Sequence, residues 1–96
     1  MPALSEYVNV YNSALQVLKD KGFRVWIDKQ ADMFCAERNG WDFMAENPIS
    51  LLGLVALQEH RSPDAYEDYW WKSEGILDYR TLPDEPPNYV SVTKKT

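Results

Sequence analysis

The dipeptide Asn39-Gly40 limits the fold of this chain more than any other feature. Both residues tolerate the positive φ of a type I′ turn, whose twist matches that of two antiparallel strands. The flanking segments, Met33 to Arg38 and Trp41 to Ala45, are therefore expected to pair as a hairpin. Upstream, Phe23-Arg24-Val25-Trp26-Ile27-Asp28 is aromatic and β-branched, and it places Phe23, Val25 and Ile27 on one face of a third strand. The polar run Asp28 to Asp32 connects it to the hairpin.

Helices are expected on both sides of this sheet. Leu4, Val8, Tyr11, Leu15 and Leu18 recur at the spacing of one helical stripe, which predicts a helix over about residues 3–21. Gly22 can take the left-handed conformation just past its end, Phe23 would fold back on Leu18, and Lys19 and Lys21 suit the negative helix terminus. Asn47-Pro48 opens a second helix over about 48–61, because Asn47 can cap Ser50 and Pro48 has no N–H to leave unpaired. This second helix carries Ile49, Leu51, Leu52, Leu54, Val55, Ala56 and Leu57 around its whole circumference. Gly53 in its interior costs roughly 1 kcal/mol against alanine, and close approach by a neighbour is the expected compensation.

The order helix, strand, strand, strand, helix predicts an α+β two-layer sandwich with an antiparallel three-stranded sheet and both helices on one face. Phe23, Val25 and Ile27 are expected to meet Leu15, Leu18, Leu52 and Leu57 in the core. The succession over residues 3–61 looks like that of a double-stranded-RNA-binding domain. That family grips phosphates with lysines at the start of its last helix. The matching positions here read Asn47-Pro48-Ile49-Ser50-Leu51 after Glu46, so the resemblance implies an order of elements and carries no RNA-binding residue across.

Ninety-six residues suffice for one modest core, so residues 1–96 are expected to be a single domain. Its compact part covers 1–63, and 64–96 form an aromatic, acidic and proline-rich extension with a flexible end. Within that extension, 64–71 suits a short helix or an aromatic strand equally well. Leu82 to Pro87 should be irregular, and 90–96 suits a short edge strand or a frayed tail. One cysteine, no visible signal peptide and no long apolar run predict a cytoplasmic protein with no membrane span. Net charge −5 argues against a general affinity for nucleic acid, with Arg24, Lys29 and Arg38 as the one local basic group to watch.

Catalytic chemistry finds no foothold. His60 is the single histidine and lacks an orienting partner, and Cys35 sits in a strand rather than at a helix N-terminus. One Cys and one His make no zinc set, and Asp64, Glu67 and Asp68 lack the spacing of a calcium loop. Glu37, Asp42 and Glu46 would pair only by an accident of folding, and the glycines are too scattered to cradle a phosphate. No catalytic residue, cofactor or metal is therefore expected, and the chain reads as a non-enzyme.

The aromatic content is unusual, with Tyr66, Tyr69, Trp70 and Trp71 crowded together. Core packing accounts for part of it, and binding hot spots favour the same residues. A helix that is apolar all round buries only part of itself on a three-stranded sheet. The far sheet face would add Trp26 with Cys35 or Phe34, depending on register. Leu51, Leu54, Val55, Trp70 and Trp71 are therefore the expected interface residues. The expected function is a protein-interaction module that binds a second copy of itself or, in the manner of an inhibitor or immunity protein, a basic partner. The alternative is a small-molecule-binding or enzymatic domain with a pocket between the sheet and the C-terminal segment.

Overall fold

The computed structural model describes residues 2–75 and 77–94. Helix α1 spans Val8–Asp20, strands β1, β2 and β3 span Arg24–Asp28, Met33–Arg38 and Trp41–Ala45, and helix α2 spans Pro48–Arg61. The sheet is antiparallel in the order β1-β2-β3. This is the αβββα, α+β arrangement expected from the sequence. Contacts divide the chain into one unit over Glu6–Trp71, which contains every helix and strand named above, and a second that joins Met1–Ser5 with Lys72–Thr96. The first unit thus takes in residues 64–71, which by composition were expected to belong to the extension.

Local chemistry sets the ends of the helices. α1 stops in a Schellman closure: Gly22 has φ +93°, its N–H donates to Lys19 O, and the N–H of Phe23 donates to Leu18 O at 3.0 Å. Its start is shorter than the stripe suggests. Tyr7 precedes the helix without a capping side chain, and Leu4 and Val8 remain exposed, so the first turn gains neither a cap nor burial. α2 begins as its sequence requires, with Asn47 Oδ1 accepting from Ser50 N at 2.8 Å and Pro48 in the first turn. It ends at Ser62 in the left-handed region, whose N–H donates to Gln58 O and whose hydroxyl donates to Glu59 O. Gly53 departs from expectation: it is solvent-exposed and nothing lies within 4 Å of where a Cβ would stand.

Register fixes the two faces of the sheet. Asn39 and Gly40 have φ values of 54° and 85°, so the hairpin closes through the turn the dipeptide favours and Arg38 pairs with Trp41. Val25 then lies opposite Ala36, and Ile27 opposite Phe34. Side chains alternate along a strand, so Phe34, Ala36, Phe43 and Ala45 join β1's Val25 and Ile27 on the helix side. Trp26, Cys35 and Met44 run in a row across the other face. The choice the sequence leaves open is thereby made, with Cys35 on the far face and Phe34 on the core side.

The core is Leu18, Phe23, Ala36, Ala45, Leu51 and Val55, with Val25, Phe34, Phe43, Leu52 and Leu54 packed against it. Each fully buried large aliphatic residue contributes about 1.5–3 kcal/mol. Three expected members fall outside. Leu15 is only half-buried, along the groove beside β1. Ile27 is 53% exposed because β1 is an edge strand with no strand beyond it, and Leu57 is 47% exposed on the flank of α2. Glu59 ties the layers together at one end. It bonds Lys21 Nζ at 2.9 Å and faces Arg38 at 3.6 Å, while Arg38 donates to Lys21 O and lies over the Phe23 ring.

The second unit contains two short 3-10 turns, Tyr79–Thr81 and Val92–Lys94. Asp78 caps the first and pairs with Arg80 at 2.8 Å, a hydrogen bond that holds its carboxyl below the ordinary range. Val92–Lys94 is not a strand, and Lys95 and Thr96 of the segment 90–96 lie outside the described residues.

Candidate functional site

Residues 64–71 form neither the helix nor the strand that their composition allows. The chain turns through 68–71, with Trp70 N donating to Glu67 O at 3.1 Å. Tyr69 sits at φ 61°, which is rare for a bulky side chain and costs on the order of 1–3 kcal/mol. The turn brings three rings into place. Trp70 meets Trp41 edge-on at 5.3 Å, just past the hairpin tip, and Tyr69 meets Trp71 in the same way at 6.0 Å. Edge-to-face pairs of this kind add about 0.5–1.5 kcal/mol beyond their burial. That is comparable to the strain at Tyr69.

Between this turn, β3 and α2 lies an apolar cleft of about 270 Å³, lined by Phe43, Leu54, Leu57, Trp70 and Trp71. Of the five residues expected at an interface, Leu54, Trp70 and Trp71 stand around it. Leu51 and Val55 do not. Both are 0% exposed because they point from α2 straight onto the sheet, so neither can touch a partner. The lining adds Phe43 and Leu57, which were not expected there from the sequence. Phe43 shares the helix-facing side of β3, and Leu57 is one helical turn from Leu54, so helical spacing could have supplied Leu57. Drug-sized ligands usually occupy about 300–1,000 Å³. At about 270 Å³ the cleft falls just below that range.

The turn that walls the cleft is acidic, and Arg61 at the end of α2 shares a neighbouring groove with Asp64, Glu67 and Trp70. Segment 64–71 carries Asp64, Glu67 and Asp68 and no lysine or arginine. Arg24 is paired with Glu37 on the open sheet face, while Arg38 turns toward Glu59 on the helix side, so the two arginines do not combine into a basic patch.

Residues weighed for catalysis are dispersed. His60 is exposed on the last turn of α2. Cys35 is 4% exposed between Trp26 and Met44. Glu37 and Asp42 do face each other across β2 and β3. Glu37, however, accepts from Gly40 N at 2.9 Å and from Arg24 Nε at 2.8 Å, and these bonds hold its carboxyl below its ordinary value. A general acid needs the opposite shift. Glu46 lies just past β3, outside this pair. Among the described residues no group of His, Cys, Asp and Glu is placed to hold a metal, and no helix is long and apolar enough to cross a membrane. Compared with known proteins, the chain matches no family model, no curated sequence and no solved structure.

Proposed function

We propose that the protein is a non-catalytic binding module that recognises another protein through the cleft between β3, α2 and the Trp70-Trp71 turn. The observation that carries this reading is the cleft itself, an apolar pocket with two tryptophans in its wall. A few side chains docked in well-packed, desolvated pockets dominate the energy of protein interfaces, and tryptophan is enriched among them. The carboxylates of segment 64–71 and the net charge of −5 select the rest of the partner: an apolar anchor set in a basic surface. Such a partner suits an inhibitor or immunity-type role.

The test is capture from native lysate followed by native mass measurement, with wild-type protein and the variants Leu57→Asp and Trp71→Ala side by side. A stoichiometric protein that binds wild type, is lost from both variants and dissociates as salt is raised supports the reading. A bound metabolite in place of a protein would move the function to small-molecule binding. Equal capture by all three proteins would remove the cleft from the function.

A further inference from the structure

β1 is an edge of the sheet, and its sequence Arg24-Val25-Trp26-Ile27-Asp28 is self-complementary when reversed. We propose that β1 pairs antiparallel with β1 of a second copy of this chain, on a two-fold axis through Trp26. This surface is separate from the cleft, and the proposal does not depend on the cleft's role.

In this register Arg24 lies opposite Asp28 of the second copy, Val25 opposite Ile27, and Trp26 opposite Trp26. Every position then meets a suitable neighbour. Opposite charges stabilise a cross-strand pair, and so do aromatic and β-branched contacts. The backbone fits as well. A two-residue turn closes on a hydrogen-bonded pair, here Arg38 with Trp41, and such pairs alternate with non-bonded ones along an antiparallel ladder. Counting across β2 from that pair, Arg24, Trp26 and Asp28 bond to β2, while Val25 and Ile27 direct their amide and carbonyl groups to the open edge. Those are the groups that a Val25–Ile27 pairing between copies would join.

The side chains agree with this geometry. Trp26 and Ile27 are 48% and 53% exposed, and with Leu15, Val25 and Phe34 they line an apolar groove along the edge. Arg24 is bound to Glu37, yet its side chain is 81% exposed, which leaves the guanidinium free to meet a second carboxylate. Edge strands are commonly guarded by charge. Guard charges of a single sign would repel a second copy, whereas Arg24 and Asp28, placed symmetrically about Trp26, attract one. The result is an isologous two-fold contact and a continuous sheet across the pair.

Charge reversal with complementation tests the register. Wild type is expected to sediment as a dimer in the micromolar range. Arg24→Asp alone places two aspartates opposite each other, and Asp28→Arg alone places two arginines, so each variant should be monomeric. An equal mixture of the two restores both opposite-charge pairs and should sediment as a heterodimer. As a second measurement, Trp26→Cys in a Cys35→Ala background should oxidise to a covalent dimer, because opposed non-bonded positions lie about 4.5 Å apart at Cα, within the disulfide range. Ile27→Cys in the same background should not. The proposal is overturned by a wild type that stays monomeric throughout the micromolar range, by folded reversal variants that remain dimeric or fail to complement, or, should those variants not fold, by equal crosslinking at positions 26 and 27.

Discussion

Two glycines make opposite demands on the chain, and substituting each separates backbone strain from helix propensity. Gly22 holds φ +93°, and a Cβ added there would meet only Arg38 Cδ, at 3.8 Å, so space is not its constraint. Gly22→Ala should destabilise by about 1–2 kcal/mol, the cost of a left-handed L-residue. Gly53 is helical and open on all sides, so Gly53→Ala should stabilise by about 1 kcal/mol and raise Tm by about 4–8 °C in a thermal melt. Glu37 adds a pH dependence. Bonds from Gly40 N and then from Arg24 keep its carboxyl ionised further into acid than in the unfolded chain. The unfolded state therefore takes up its proton first, and the stability that Glu37 contributes at neutral pH is lost as pH falls below the ordinary carboxylate range. Denaturant titrations of Glu37→Gln and wild type should differ at neutral pH and converge in acid.

At the scale of elements, α2 shows what patterning can and cannot reveal. Asn47, Pro48 and Ser62 mark its ends because caps are local chemistry, and Gly22 and Asn39-Gly40 mark α1's end and the hairpin for the same reason. A helix apolar all round, in contrast, does not state which side meets the sheet. Leu51 and Val55 took the core, and Leu54 and Leu57 were left to the cleft. Stability measurements distinguish the two sets. Leu51→Ala should cost about 2–5 kcal/mol by opening a cavity. Leu57→Asp should leave the fold intact and act on binding alone. The candidate site was half legible: Trp70 and Trp71 stood out as a cluster, but the left-handed turn at Tyr69 that orients them has no glycine or asparagine to announce it. Leu4 continues the helical stripe in sequence but lies before α1, and Val8 is helical yet exposed, so the stripe reaches further along the chain than the surface that covers it.

For the molecule as a whole, charge and apolar surface point the same way. With net charge −5 and Arg24 and Arg38 held by carboxylates on opposite faces, binding to mixed-sequence DNA or RNA is expected to be undetectable at physiological salt in a fluorescence anisotropy titration. Micromolar, salt-sensitive binding would contradict that. The row Trp26–Cys35–Met44 has a practical consequence. Cys35 is the chain's single thiol; it is 4% exposed, on the open sheet face, in a surface pocket whose lining includes Trp26 and Met44. An alkylating reagent therefore reaches it in the fraction of molecules in which its cover, Trp26 and Met44 included, has moved aside. Its reaction rate, divided by that of the unfolded chain, gives the opening equilibrium directly when closing is fast. The protein thus contains its own stopwatch for breathing motions, one that needs no added label: a rate that falls in Gly53→Ala and rises in Gly22→Ala assigns the exposure to opening of the whole fold, and a rate unchanged in both assigns it to local motion of Trp26 and Met44.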